Sequence, residues 1–343
     1  MTTEAAATAV DTLDRAATRA TLAPSVHNTQ PWHFEVTGDA LEIRSRPGRR
    51  LEVLDPRGRQ LLISCGCALF NARVSIAAAG FDSIVDRWPD PAEPNLLARV
   101  RVGRARDWLP IAGLDQAVED RRTNRRAFAD DPVPGGVIND LVATARAEGG
   151  HLLPISEPDH RRATAELSRL ADQLQEADPA YRAELARWTT DDLRRRDGVQ
   201  AASVPYVGHS ATAHDALPIR SFDPRGMGWL PASSDSDEQQ CLLLLAASDD
   251  GPDSWLRTGE ALERVWLTLT QLNYSASPLT QVIEVARTNG RFRTALNTRL
   301  HPQILLRVGR APNTVPTARL DPADVITTRS HGSGLSSPTQ GRR

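Results

Sequence analysis

Along the chain, the spacing of apolar and polar side chains first resolves into a helix over residues 10–22, with Leu13, Ala16, Ala17 and Ala20 on one side and Pro24 as its stop. Residues 32–37 then alternate, Gly38-Asp39 turns the chain, and residues 41–44 follow as a second strand, which predicts a β-hairpin. Residues 59–79 carry apolar or small side chains on nearly every face. That pattern predicts a helix buried on most sides and closed by Gly80. A polar, proline-rich connection, WPDPAEP, leads to a strand over residues 96–103.

A second series begins with helices near residues 113–120 and 137–148 and continues with long charged helices across residues 158–196. From residue 197 to 237 the pattern dissolves into Gly, Pro, Ser and His, too long for an ordinary connection, and the segment reads as a candidate lid or an excursion. Residues 241–247 predict a buried strand, residues 255–274 a helix with Leu262, Val265, Trp266 and Leu269 inward, and residues 304–308 a last strand. The tail, residues 328–343, lacks periodicity and is expected to be disordered. An echo runs through the two series. Arg101-Val-Gly-Arg-Ala105 and Arg307-Val-Gly-Arg-Ala311 each follow a helix, a connection and an apolar run, as a duplication would leave, although five residues also recur by chance.

Composition narrows the partners. The 41 basic and 43 acidic residues of this 343-residue chain give a net charge of −2, which supplies no field for nucleic acid or an anionic bilayer and favours a small-molecule ligand. Lysine is absent, so every fixed cation is arginine and Schiff-base chemistry is excluded. Three cysteines, Cys65, Cys67 and Cys241, are too few and odd in number for a secreted disulfide framework. The N-terminus lacks the apolar core of a signal peptide, and the chain reads as cytoplasmic. Cys65 and Cys67 lie in an apolar helical run and read as packing. His209 and His214 sit in the long polar segment and read as loop residues, and Glu260, Glu263 and Glu284 as solvated helix faces. No metal site is expected.

Two segments could carry chemistry. Residues 24–34, PSVHNTQPWHF, crowd short polar side chains into a turn able to hydrogen-bond the edge of a planar heteroaromatic, and the same turn would also serve as a plain cap with Trp32 as a core anchor. Residues 121–128, RRTNRRAF, place four arginines within six positions, a match to phosphate oxygens or simply a solvated basic face.

Together these segments resemble the FMN-binding nitroreductase superfamily. The family's ring-facing turn is similar to Pro24-Ser25-Val26-His27-Asn28-Thr29-Gln30-Pro31-Trp32, its cofactor arginine motif to Arg122-Thr123-Asn124-Arg125-Arg126-Ala127-Phe128, and its C-terminal phosphate arginine to Arg319. The stretch from Gly259 to Gln281 is also similar, and there the family aims a backbone amide, here near Thr280 or Gln281, at the flavin N5. The resemblance spans about residues 10–326 and is greatest to the actinobacterial Acg-type proteins, associated with dormancy, in which one chain holds two fused halves.

That resemblance implies an α+β, nitroreductase-like fold: two fused half-repeats, residues 1–110 and 111–327, forming an intrachain pseudo-dimer around a mainly antiparallel sheet. It implies one FMN per chain, because the first half has the turn without the arginines and the second has the arginines without the turn. The implied cofactor contacts are Pro24, Ser25, Val26, Asn28 and Gln30, then Arg121, Arg122, Thr123, Asn124 and Arg126, then Thr280, Gln281 and Arg319; no side chain need act as acid or base. Arg126 stands where relatives often have a lysine beside the pyrimidine edge. The expected activity is transfer of electrons from NAD(P)H through FMN to a nitroaromatic, quinone or similar acceptor, by a monomer or homodimer. The competing expectation is a protein that binds or sequesters FMN under a cover formed by residues 197–237, with little or no turnover.

Overall fold

The computed structural model describes residues 3–125, 128–200, 220, 240–312 and 314–329. The histidines at 209 and 214, the arginine at 126 and most of the candidate lid lie outside them.

Helix α1 (Thr3–Ala20) lays Leu13, Ala16, Ala17 and Ala20, all fully buried, against the core and leads through the turn into the hairpin β1 (Trp32–Thr37) and β2 (Ala40–Ser45). The hairpin pairs Phe34 with Ile43 and Val36 with Leu41, so the alternation in the sequence is the alternation of faces. Helix α2 (Arg59–Ala78) follows, then β3 (Phe81–Arg87) and β4 (Leu96–Ala105). The short α3 (Asp115–Asp120), α4 (Gly135–Arg146), β5 (His151–Pro154), α5 (Pro158–Ala177) and α6 (Pro179–Arg187) come next. Two short paired strands, β6 (Thr189–Thr190) and β7 (Val199–Gln200), precede β8 (Cys241–Ala247), the long α7 (Pro252–Gln271), β9 (Ser275–Pro278), α8 (Gln281–Glu284), α9 (Ala286–Ala295) and β10 (His301–Gly309). The last elements are α10 (Pro322–Val325) and β11 (Ile326–Arg329).

The expectation of one mainly antiparallel sheet is corrected: there are two larger sheets. One has the order β11-β1-β2-β4-β3 and the other β5-β8-β10-β9, and apart from the parallel β1/β11 pair every ladder in them is antiparallel. The reason is visible in the connectivity. In each sheet a strand leads into a twenty-residue helix, and the chain returns as an edge strand and then as the strand between, giving β2-β4-β3 around α2 and β8-β10-β9 around α7. The two arginine-valine-glycine echoes fall at the ends of the equivalent strands β4 and β10.

Helices α2 and α7 pack on each other in the centre, and their crossing is dictated by glycine. Gly66 and Gly259 are each the eighth residue of their helices, and a Cβ added to either would meet a carbonyl oxygen of the other helix, at 2.0 Å (Leu256) and 2.1 Å (Ile63). Contact that close brings backbone to backbone and excludes any side chain. Among the described residues α2 is also the one helix long and apolar enough to cross a membrane, yet nearly all of it is buried inside the protein. The core spans α1, α2, α7 and the inner faces of both sheets, with Trp32, Trp266 and Phe34 among its largest fully enclosed side chains.

Several elements depart from the sequence reading. The polar stretch after Gly80 is strand β3, held only by β4 at an exposed edge, which is why it lacks an apolar stripe. Residues 326–329, partly assigned to a disordered tail, pair in parallel with β1. The long charged helical region ends at Arg187, and its continuation is the turn and short strands around residues 189–200.

Candidate functional site

The turn that joins α1 to β1 is tight enough to force left-handed backbone at His27, Asn28 and Gln30 (φ 46°, 52° and 48°), a conformation that Asn tolerates and that His and Gln adopt only under constraint. The constraint comes from hydrogen bonds to distant segments. The Asn28 amide donates to the carbonyls of Gly198 (3.2 Å) and Ala318 (3.1 Å), and its oxygen accepts from Arg319. Gln30 donates to the Arg196 carbonyl at 2.9 Å and accepts from the Leu320 amide at 2.8 Å. Ser25 Oγ accepts from the Gln30 amide, and the Val26 amide donates to Ser64 Oγ on α2.

Two adjoining clefts open beside this turn. The first, about 790 Å³ including the open solvent at its mouth, lies between α2 and α7 and is lined by Val26, Ile63, Cys67, Leu262, Trp266 and Ile304, with Gln60, Thr280 and Glu284 among its polar groups. The second, about 1120 Å³, is walled by Leu22, Asn28, Arg121, Arg122, Val199 and Arg319. Pro24, Ser25, Thr123 and Arg125 line both, so the turn and the arginine segment form the partition between an apolar space and a basic one.

The arginine segment reaches that partition because Thr123 bridges to Ala276 and the Asn124 amide donates to the Ala276 carbonyl, extending the edge of β9. Arg121 lies almost fully buried over the face of Trp266, 4.9 Å from the ring centre, and 3.6 Å from Glu263. Its Nε and Nη1 have no hydrogen-bond partner among the described residues. Arg122 is half-buried, its Nη1 donating to the Glu119 and Arg121 carbonyls. Arg319 donates to the carbonyls of Leu22, Ala23, Thr317 and Ala318, leaving Nε without a partner, and burial pulls its pKa down to about 9.

The apolar cleft has a compensated charge cluster on its wall. His27 Nε2 accepts from Arg220 Nη1 at 2.9 Å, and Arg220 Nη2 is ion-paired with Glu284. Burial, then the charges of Arg220 and Arg125, hold His27 well below the usual imidazole range, so the ring is neutral. Glu284 also accepts from Thr280 Oγ1 at 2.6 Å and from Gln175 at 2.9 Å. Two donors on this cleft, Gln60 Nε2 and Trp266 Nε1, have no hydrogen-bond partner among the described residues.

Of the residues expected to touch a cofactor, Pro24, Ser25, Val26, Asn28, Arg121, Arg122, Thr123, Thr280 and Arg319 are brought to the clefts. Gln30, Asn124 and Gln281 are buried and line neither, and Arg126 lies outside the described residues. Gln30 is a staple between chain segments, for the hydrogen-bonding reason given above. The reading of Glu260, Glu263 and Glu284 as solvated is overturned. Glu260 is ion-paired with Arg73 and Arg87, Glu263 is fully buried beside Arg121, and Glu284 lines the cleft. Arg220, Gln60 and Trp266 escaped the sequence reading: the first sits in a stretch without periodicity, and the other two share helical faces with ordinary core residues. Cys65 and Cys67 are free and buried, as packing residues should be.

No family model matches the chain. Among curated proteins it is 34% identical over 321 residues to "Putative NAD(P)H nitroreductase Rv3131" of Mycobacterium tuberculosis, covering 92% of this chain and 91% of that one. It is 29% identical over 311 residues to "Putative NAD(P)H nitroreductase acg" of the same species, covering 88% and 90%. Among solved structures it is similar to a nitroreductase with bound FMN from Desulfitobacterium hafniense (10% identity, TM-score 0.40, 63% of this chain and 98% of that one). It is similar as well to the FMN and NADPH-dependent nitroreductase NfnB of a Sphingopyxis strain (17%, 0.40, 63% and 99%). These distant structural likenesses add nothing to the assignment, which rests on the end-to-end match to the mycobacterial relatives: the chain belongs to the nitroreductase superfamily.

Proposed function

We propose that the two adjoining clefts hold one FMN per chain and that the protein is an FMN-dependent oxidoreductase of nitroreductase type, passing electrons from NAD(P)H to a nitroaromatic, quinone or similar small aromatic acceptor. The observation that carries the reading is the partition: an apolar cleft and an arginine-walled cleft share Pro24, Ser25, Thr123 and Arg125, a shape suited to a flat ring joined to a phosphate. The donor sets fit. Among the described residues, Arg121 Nη1 and Arg319 Nε are buried donors without acceptors on the basic side, Arg121 Nε being turned to Glu263, and Gln60 Nε2 and Trp266 Nε1 are such donors on the ring side.

In this reading Arg121, Arg122 and Arg319 hold the phosphate, and Ser25, Val26 and Thr280 border the ring. When bound, the flavin supplies hydride acceptance and release at its N5. The protein's part is to fix the ring between α2 and α7, exclude water with Ile63, Leu262 and Ile304, and place donors at the ring edge. Asn28 serves by bracing Arg319 and the turn. The two fused half-repeats, divided near residue 110, form an intrachain pseudo-dimer in this reading, supported by the shared strand-helix-strand-strand topology and the reciprocal glycine contact. The name of the relative Rv3131 supplies NAD(P)H as donor.

A second reading, FMN held under cover with little turnover, is favoured by one observation: Arg220 is buried in the wall of the ring cleft, bonded to both His27 and Glu284. Anaerobic mixing of the purified yellow protein with NADPH or NADH separates the two. Rapid bleaching of the flavin band supports the oxidoreductase, an unbleached band supports sequestration, and a colourless protein that takes up no FMN sinks both.

A further inference from the structure

Behind the basic cleft lies a carboxylate that the proposed reaction does not use. Glu263, on α7, is fully buried, and neither of its oxygens has a hydrogen-bond partner within normal distance. Arg121 Nε lies 3.6 Å from it, Arg121 Nη1 has no hydrogen-bond partner among the described residues, Nη2 donates to the Leu22 carbonyl at 3.5 Å, and Arg121 also lines the cleft. One arginine therefore faces a buried carboxylate on one side and the ligand space on the other.

The surroundings of Glu263 isolate this arrangement. From α2 it faces Asn71, fully buried and near enough to draw the Glu263 pKa down although outside normal hydrogen-bond geometry, and the Cys67 thiol, which burial and then Glu263 push upward. From the C-terminal segment it faces Arg319. The other charges nearby are bound elsewhere: Glu260 with Arg73 and Arg87, Arg264 with Glu148, and, on α3, Asp115 and Glu119 with Arg15 and Arg19. The strands packed behind α7 present Leu243, Leu245, Ala276, Ile304 and Leu306.

We propose that Glu263 is the internal counter-charge of the basic cleft: it holds Arg121 in place when no anion is bound, and it takes up a proton when an anion binds Arg121 from the other side. A buried carboxylate and a bound anion compete for one guanidinium, and the less costly outcome is to neutralise the carboxylate. Burial, opposed by Arg121, already raises Glu263 to about 7, so it titrates where such exchange is possible. A nearby anion raises it further. The sign follows from linkage. Below pH 6 Glu263 is already neutral, and anion affinity is flat. Above 7 each binding event takes up a proton, so affinity falls by up to about tenfold per pH unit until the bound-state value is passed.

This inference rests on the basic cleft being an anion site, and the test separates the two claims. The full chain, wild type and Glu263→Gln, is titrated calorimetrically with sodium sulfate and with FMN from pH 5.5 to 8.5, in two buffers of different ionisation enthalpy. Sulfate has no titration of its own in that range, and the phosphate of FMN cancels between wild type and variant. The expected result is weakening above pH 7 with proton uptake in the wild type, and a flat sulfate profile without uptake in the variant. Equal pH profiles in the two proteins, or no proton exchange in the wild type, overturn the proposal. Should the variant not fold, proton uptake by the wild type in the two buffers decides alone. Sulfate binding with these properties and no FMN binding leaves the counter-charge standing and removes the flavin reading; tight FMN binding without a Glu263-dependent pH profile does the reverse. Absence of both ligands overturns both.

Discussion

The two clefts meet at the same four residues but treat charge in opposite ways. On the apolar side the buried cation Arg220 is matched by Glu284 and by a neutral His27, so the wall is closed electrostatically before any ligand arrives. On the basic side Arg121, Arg122 and Arg319 converge, and Glu263 is the buried carboxylate that faces Arg121 and Arg319. One scaffold thereby suits an amphiphile, with the buried cation Arg220 already matched on the ring side and surplus positive charge on the anion side.

The sharpest way to break the comparison is to remove the scaffold common to both clefts. Gly259→Ala places a methyl about where the Ile63 carbonyl already is, and α2 and α7 must separate. We expect a loss of more than about 4 kcal/mol of stability, read as loss of the cooperative thermal transition, with both clefts gone together. A protein that melts near the wild-type temperature would show that the helix crossing does not define the clefts.

Next come the two basic-cleft arginines that the comparison treats alike but the hydrogen bonds do not. Arg319 ties Leu22, Ala23, Thr317 and Ala318 together, so Arg319→Ala should cost about 3 kcal/mol of stability as well as FMN. Among the described residues Arg122 makes only local bonds, to the Glu119 and Arg121 carbonyls. Arg122→Ala should therefore weaken FMN about ten- to hundredfold, with the melting temperature nearly unchanged. Equal melting temperatures for the two variants would contradict the division of labour.

An intermediate effect concerns pH. Glu263 is raised in the folded protein to about 7, above its unfolded value, so its contribution favours folding fully below that unfolded value and is lost as pH rises through 7. In the protein without ligand, Glu263→Gln should become progressively more stable relative to wild type between pH 5 and 8, by up to about 3 kcal/mol. Chemical denaturation at the two pH values measures the gap, and a gap that does not widen would remove the buried carboxylate from the comparison. The smallest effect is expected from Thr280→Val, which removes one hydroxyl bond to Glu284 on the already compensated side. It should lower stability by about 1 kcal/mol, with FMN affinity changed less than threefold. A larger loss of flavin would mean that the ring side, too, depends on charge balance.

How much of this could be seen in the residues differs by level. The helices at 59–78 and 252–271 and the strands β1, β2, β4, β8 and β10 are legible because burial on many faces or on a clear stripe leaves a periodic mark. The edge strand β3 and the short β5, β9 and β11 were not, since ladders supplied by a neighbour demand little of the sequence beyond compatibility. The turn was located, but its polarity was read as aimed at a ligand, while Asn28 and Gln30 are bonded to residues about 170 and 290 positions away, a distance no local pattern reports. The buried glutamates were missed for a related reason: helical spacing says which face a residue is on, and only the packing partner decides whether that face is wet.

The parallel pairing of β11 with β1, together with the hold of Arg319 and Leu320 on the opening turn, sets an order on biogenesis. During synthesis the first sheet keeps an open edge at Trp32–Thr37, and the ligand-bordering turn lacks its clasp, until residues near 320–329 emerge from the ribosome. The turn is thus completed only by a segment about 290 positions further along the chain, and a ligand held there waits for that clasp.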